Sequence, residues 1–217
     1  MKKSLLAISI AVMASNAIAQ TEYFAGLSLG QSKFPNQAQG VADQVATGIN
    51  QAIIDAGADE SITTATVNQK RTDTAYKIFG GAWLNDNFGY EIGYADLGKT
   101  KFTVGSTSEF YGGDSPDYTV NTNTTASVGS KAFYAALLAG QKFSNKSRLY
   151  GKFGLYRAST KLSGSGVAVL EEAELSAPYS FSYKENNTNI LVGVGYSYPI
   201  TDKIDVRAEA EQFRKVG

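Results

Sequence analysis

Residues 88–95 read FGYEIGYA, and this stretch decides the fold because large apolar side chains alternate in it with small ones. In an extended strand, successive side chains point to opposite faces. The small face holds glycine and alanine around a single carboxylate, Glu91, which suits a narrow polar lumen better than a solvated surface. The stretch therefore favours a strand of a membrane β-barrel whose large apolar face meets lipid. That predicted lipid-facing set is Phe88, Tyr90, Ile92 and Tyr94.

The same alternation recurs along the chain and predicts an all-β, up-and-down antiparallel transmembrane β-barrel. A second clear example adds Val192, Val194 and Tyr196 to the predicted lipid-facing set. Short polar connections alternate with long segments, an arrangement typical of bacterial outer-membrane barrels that keep their short turns in the periplasm. The predicted strands are seven: 22–34, 72–85, 87–101, 130–144, 147–162, 186–200 and 203–214. The long segments are 35–71, 101–129 and 162–185.

The three long segments differ in character. Four-residue spacing of Val41, Val45, Ile49 and Ile53 places an apolar stripe on a helix, so a short helix is predicted over about 40–55. An Ala-rich loop that frays is the alternative, and the sequence leaves both open. The second segment is rich in Gly, Ser, Thr and Asn and is predicted to be a mobile polar loop. The third contains an acidic patch at Glu171, Glu172 and Glu174, predicted to be a solvated surface.

The N-terminus has the pattern of an export signal. Lys2 and Lys3 precede a short apolar core, and the small residues Ala17 and Ala19 then form a cleavage pattern. Cleavage after Ala19 would leave Gln20 as the first mature residue. We therefore expect residues 1–19 to be a signal peptide and residues 20–217 to form the outer-membrane barrel domain. The apolar core is too short for a membrane-spanning helix, and a helix of the mature fold is the alternative.

Composition excludes several classes of function. The chain has no Cys and no His, which removes thiolate nucleophiles, His-dependent catalysis and the usual zinc sites. Lys and Arg together equal Asp and Glu at 20 each, so no basic excess suggests nucleic acid. We expect a protein that is not an enzyme, uses no cofactor or metal and binds no nucleic acid.

Two stretches resemble hairpins of the OmpA-like and opacity-type small outer-membrane barrels. They are Phe79-Gly80-Gly81 followed by NDNFGYEIGYADLG at 85–98, and YPITDKIDVRAE at 198–209. The resemblance covers the mature chain and implies an eight-stranded outer-membrane barrel. Members of that family act as surface proteins, envelope anchors, adhesins or narrow pores.

The resemblance also implies a lumenal charge network. In the OmpA-like barrel, a glutamate on strand three pairs with an arginine on strand seven, and these match Glu91 and Arg207. Lys152 and Glu209 match a basic residue on strand five and a second acid on strand seven, whereas Leu138 replaces the family's lysine on strand four. A charge buried alone would cost several kcal/mol, so these groups should be paired. A structural salt-bridge plug and a conductance gate are both open interpretations.

One feature departs from the family. Its barrels have eight strands, whereas this sequence supplies seven by its alternation. The expectation is a chain that lacks the last strand through C-terminal truncation. The first and seventh predicted strands would then be the two edges of the sheet, with amides that lipid cannot satisfy.

The leading functional hypothesis is a non-enzymatic surface or structural barrel that displays long extracellular loops, in envelope integrity or adhesion. The alternative is a narrow ion or small-solute channel gated by the Glu91–Arg207 pair. Two further alternatives are an outer-membrane enzyme, such as a lipid A deacylase or a protease, and a soluble lipocalin-like binder. Known mechanisms of such enzymes use His, which this chain lacks. The expected partners are outer-membrane lipid and lipopolysaccharide, the barrel-assembly machinery during biogenesis and a host-surface ligand at the outer loops.

Overall fold

The computed structural model describes residues 4–12, 17–18, 21–36, 38–55, 60–111, 116–171 and 175–214. These residues form almost entirely antiparallel β-structure with one helix. The elements are β1 (Ser4–Val12), β2 (Ala17–Ile18), β3 (Thr21–Lys33), α1 (Ala38–Asp55), β4 (Glu60–Lys70), β5 (Thr72–Trp83), β6 (Phe88–Tyr111), β7 (Pro116–Lys142), β8 (Arg148–Leu170), β9 (Leu175–Thr201) and β10 (Ile204–Phe213).

Seven of the strands form the predicted up-and-down meander. β3, β5, β6, β7, β8, β9 and β10 each pair antiparallel with the next in this order. These are the seven strands predicted from the sequence, so the antiparallel barrel fold is confirmed. The connections β5–β6, β7–β8 and β9–β10 are short and define one end of the barrel, which we call the short-turn rim.

The prediction that the first and seventh of these strands are sheet edges is wrong. β1 lies between β3 and β10 and pairs with both, placing Ile8 opposite Leu29 on one side and Ala208 on the other. Residues 4–12 read SLLAISIAV, and an apolar strand satisfies the amides of both neighbours where lipid could not. The same residues form most of the predicted signal's apolar core. Ala17 belongs to β2, whereas Ala19 and Gln20 lie outside the described residues.

Side chains fill the lumen of the meander. Glycines allow this filling where strands lie close: a Cβ on Gly154 would stand 2.2 Å from the carbonyl oxygen of Ala135. Any other residue at Gly154 would force the backbone apart. The buried apolar cluster consists of Phe24, Ala75, Phe79, Trp83, Ala95, Leu97, Ala132, Tyr134, Ala136, Leu138, Tyr150, Tyr156, Ala158, Leu191 and Phe213.

The prediction of loops at 101–129 and 162–185 is wrong. β6, β7, β8 and β9 continue through these residues as paired strands, and β4 pairs with the distal part of β6. We call this five-stranded continuation the sheet extension. Its Thr, Val and Tyr residues suit strands, but both of its faces carry polar side chains. The apolar–polar alternation that identifies a strand is therefore weak there. In the predicted acidic patch, Glu171 is exposed, and Glu172 and Glu174 lie outside the described residues.

The predicted helix is confirmed over Ala38–Asp55. The side chain of Asn36 accepts a hydrogen bond from the Ala38 amide at 3.3 Å, which satisfies one free N–H of the first turn. The helix packs against β4 and β6. A small apolar cluster in the sheet extension buries Phe102 and Val104 on β6. No helix in the described part of the chain is long and apolar enough to span a membrane.

Candidate lumenal charge site

The four residues predicted for the lumenal network all point inward. Glu91 projects from β6, Lys152 from β8, and Arg207 and Glu209 from β10. Each lies on the strand face that alternates with exposed apolar residues, so pleating alone directs it to the lumen. Each is buried, with at most 4% of its surface exposed. The structure brings these four residues together in one cluster.

Lys152 is the centre of this cluster. Its ammonium Nζ donates to Glu91 Oε1 at 2.7 Å, to Glu209 Oε1 at 3.0 Å and to Glu211 Oε1 at 2.5 Å. An ammonium group has three protons to donate, and three carboxylates accept them here. Lys152 is therefore fully coordinated by charge-assisted hydrogen bonds.

Two charged members of the cluster were missed in the sequence. Lys77 of β5 forms ion pairs with Glu209 and, at 2.9 Å, with Glu211. Both missed residues share a face with predicted ones: Glu211 follows Glu209 by two positions, and Lys77 precedes the buried Phe79 by two. Applying the two-residue period along β5 and β10 would have found them. The resemblance pointed elsewhere, to strand four, where the apolar Leu138 is buried.

The six charges balance within the described residues. Glu91, Glu209 and Glu211 carry three negative charges, and Lys77, Lys152 and Arg207 carry three positive ones. We call these six residues the charge layer. A buried ion pair is stable only when geometry and further hydrogen bonds offset desolvation.

Aromatic side chains provide those further contacts. Tyr134 donates to Glu91 Oε1 at 2.6 Å, and Tyr150 donates to Glu209 Oε1 at the same distance. The Arg207 guanidinium donates to Glu91 Oε2 at 2.9 Å and lies 4.3 Å from the ring centre of Phe24. Tyrosine hydroxyls and aromatic rings thus make the contacts to these charges that water would otherwise make.

The same three carboxylates could in principle hold a metal ion, since their oxygens lie within 4.8 Å of one another. The Lys152 ammonium already lies 2.5–3.0 Å from one oxygen of each. It occupies the position that a cation would take. The donor set therefore fits a lysine-centred cluster better than a metal centre.

Some polar atoms of the charge layer have no partner among the described residues. These are Nε and Nη2 of Arg207 and Oε2 of Glu211. Buried donors without a partner cost free energy, so they mark where water could enter the layer. Among the described residues, the charge layer is therefore filled except for these unpaired atoms of Arg207 and Glu211.

A second charged group lies at the short-turn rim. Arg148 stacks 3.9 Å from the ring centre of Trp83 and pairs with Glu22 at 3.4 Å. At the same rim, Lys146 donates to Asp202 at 3.0 Å and so links two of the short turns. This hydrogen bond lowers the pKa of the Asp202 carboxyl.

The predicted lipid-facing residues point away from the lumen. Phe88 and Ile92 are each 59% exposed and Val194 is 61% exposed. Tyr90 and Tyr196 are exposed to 40% each, whereas Tyr94 and Val192 are half-buried by their neighbours on the outer wall. Large apolar residues left on the surface of a folded chain mark an interface, and here they lie along the outer face of β3, β5, β6, β7, β8 and β9.

Comparison with known families identifies the class. Residues 4–216 match the family described as outer membrane protein beta-barrel domain. The chain belongs to this family, and the outward apolar wall and the polar lumen agree with a barrel of the outer membrane. No curated protein matches the sequence.

Proposed function

We propose that the protein is a non-enzymatic surface and structural barrel, which displays the sheet extension outside the cell while its lumen stays plugged. The observation that carries this proposal is the charge layer, a neutral and buried set of ion pairs across the lumen. A small barrel whose lumen is filled by side chains has no room for general solute flow. The protein would then act by contacts that its exposed surface makes with other molecules.

The sheet extension supplies such a surface. The pairing of β7 with β8 continues from the pair Ser130–Thr160 to the pair Val120–Leu170. At about 3.4 Å per residue, these paired strands rise roughly 34 Å along their axis beyond the barrel wall. Ordered strands present side chains at fixed positions, at a lower entropy cost on binding than a mobile loop. This favours recognition or envelope contact over transport.

Cysteine labelling of intact cells tests the display. The chain has no native Cys, so single substitutions report cleanly. We expect Ser165→Cys, exposed on the sheet extension, to react fully with a membrane-impermeant maleimide. Its matched control is Ser144→Cys, exposed in a short turn, which should react only after the outer membrane is permeabilised. The reverse pattern would place the extension in the periplasm and reject the proposal.

We also propose that residues 1–19 direct export and are then removed, which is incompatible with a permanent β1. Intact-mass measurement of protein extracted from outer membranes should give a chain beginning at Gln20. An Ile8→Cys/Leu29→Cys variant provides the opposing test, since these residues face each other across β1 and β3. A full-length mass together with an oxidised cross-link would mean that β1 stays in the barrel.

A narrow channel is the second candidate, and one observation favours it. Nε and Nη2 of Arg207 have no partner among the described residues, so water or an anion could approach the charge layer there. Opening would require Arg207 to leave Glu91, with another cation taking its place. Engagement of the barrel-assembly machinery and of a host-surface ligand stays a prediction.

A further inference from the structure

Lysines lie in a row where the barrel wall continues into the sheet extension, at the end away from the short-turn rim. By strand register, Lys99 of β6 faces Gly129 of β7. Gly129 faces Lys161 of β8, which in turn faces Lys184 of β9. Neighbouring strands lie about 4.8 Å apart, so the row spans about 14 Å. We call Lys99, Lys161 and Lys184 the basic row; all three are exposed.

A β-bulge turns Lys99 outward. The β6–β7 register shifts between Asp96 and Lys99, and Gly98 adopts a left-handed φ of 70°. Asp96 accepts the Gly98 amide at 3.0 Å, and Asp73 accepts the Lys99 amide at 2.8 Å. Before the bulge, the odd-numbered Leu97 is buried, whereas Lys99 beyond it is exposed. The bulge thus reverses the alternation and moves a positive charge to the wall.

The missing side chain of Gly129 leaves room for the Lys99 stem. A Cβ on Gly129 would stand 3.0 Å from Cγ and 3.5 Å from Cε of Lys99. The Lys99 side chain therefore lies across β7 toward Lys161. The glycine lets charges from β6 and β8 converge although a strand separates them.

The basic row is electrostatically unbalanced. Lys161 and Lys184 are direct cross-strand neighbours, and like charges in that position destabilise a sheet. None of the three lysines forms an ion pair with any residue that the structure describes. Lys131 nearby differs, because Asp96 lies 3.6 Å from it. A bound anion would relieve the repulsion.

The basic row borders a surface groove of about 660 Å³. Serine hydroxyls line the groove beside the lysines, including Ser163 and Ser182. Ser127 and Ser163 lie with their hydroxyl oxygens 3.3 Å apart across β7 and β8. Ammonium and hydroxyl groups together are donors suited to phosphate oxygens.

The height of the groove fits a lipid headgroup. Phe133 on β7 is 69% exposed, and its ring centre lies 4.9 Å from that of Tyr94 at the upper end of the apolar wall. Gly129 lies four residues before Phe133 on the same strand, farther from the short-turn rim. At about 3.3 Å per residue and a tilt of about 40°, the row stands roughly 10 Å above Phe133. That is where headgroups of the outer leaflet lie when the short turns are periplasmic.

We propose that the basic row binds the phosphate groups of a phosphorylated glycolipid in the outer leaflet, the chemistry of the lipid A part of lipopolysaccharide. The phosphates would meet Lys161 and Lys184, and the acyl chains would continue down the wall past Phe133. This continuity of charge and apolar surface selects a membrane lipid over a free anion. The inference rests on the outer-membrane placement of the barrel and does not depend on what the sheet extension recognises.

The test measures binding of purified full-length protein in detergent to bisphosphorylated lipid A, with dephosphorylated lipid A and inorganic phosphate as further probes. We expect binding that requires the phosphates. Lys161→Gln/Lys184→Gln should weaken it about ten- to thirtyfold, since each lysine near an anionic headgroup contributes a few-fold to affinity. The matched control, Lys146→Gln/Lys203→Gln, makes the same charge change in short turns and should leave affinity unchanged. Lys161→Arg/Lys184→Arg should keep most of the binding.

Several results would overturn the proposal. One is that dephosphorylated lipid A binds as tightly as bisphosphorylated lipid A. Another is that the control variant loses as much affinity as Lys161→Gln/Lys184→Gln. A third is that millimolar inorganic phosphate displaces the lipid fully. The last would indicate a site for free anions. Heat-modified gel mobility distinguishes a folding defect from a loss of lipid binding. The Lys161→Gln/Lys184→Gln variant removes two repelling charges and should keep the mobility of the parent protein. Binding in detergent is independent of topology, so failed surface labelling and failed lipid binding can be told apart.

Discussion

Lys152→Met is expected to lower the free energy of unfolding by about 3–5 kcal/mol, because it leaves three buried carboxylates without their shared cation. Methionine has nearly the same length, so the loss reflects charge more than volume. Lys77 and Arg207 remain, but Lys77 pairs only with Glu209 and Glu211, and Arg207 only with Glu91, among the described residues.

Urea unfolding in lipid vesicles provides the measurement, and Trp83, the single tryptophan, reports it from a buried position in the lumen. Lys146→Met is the matched control, since its ion pair with Asp202 is exposed and should contribute less than about 1 kcal/mol. Adding Glu211→Gln to Lys152→Met restores charge balance and should recover part of the lost stability. A Lys152→Met protein as stable as the parent would show that the charge layer does not hold the lumen together.

Arg207→Ala is expected to destabilise the barrel by a similar amount, about 3–5 kcal/mol, without opening it to ions. The substitution breaks the ion pair with Glu91 and removes the guanidinium that stacks against Phe24 and Phe79. Lys152 and Tyr134 still bind Glu91, so the lumen stays occupied. Single-channel recording in planar bilayers should therefore show the same trace before and after substitution.

Arg157→Ala serves as the control for Arg207→Ala, because Arg157 is exposed on the outer wall of β8. It should change neither stability nor conductance. Steady current that arises only in Arg207→Ala would identify Arg207 as a gate and replace the plug by the channel. Arg207→Lys separates charge from shape: it keeps the positive charge but loses the planar fork and the stacking.

The lumenal site could be read in good part from the sequence. Glu91, Lys152, Arg207 and Glu209 lie on the small-residue faces of their strands, and the two-residue period sends them inward. Lys77 obeys the same rule but was overlooked, because the resemblance pointed to strand four, where Leu138 stands. Which lysine meets which glutamate depends on barrel register, and no local pattern in the sequence encodes it.

The sheet extension was missed for a different reason. Its strands carry polar residues on both faces, with Thr107 and Asn121 on one face and Ser106 and Thr122 on the other. Periodicity then fails as a signal, although β-branched residues are frequent. Pairing with the already fixed barrel strands, which extends the ladder one residue at a time, decides that these segments are strands.

The sequence by itself determined the strand faces of the barrel and the short turns, because each depends on side chains close together along the chain. It predicted a helix over about 40–55 but left a frayed loop open, and the structure decided for the helix Ala38–Asp55. Tertiary structure alone decided that Lys152 lies among three carboxylates, that β1 fits between β3 and β10, and that Lys161 faces Lys184. These contacts join residues far apart in sequence. Their geometry is set by register across the sheet, and a shift of one strand by one residue would move the charges of that strand to the opposite face.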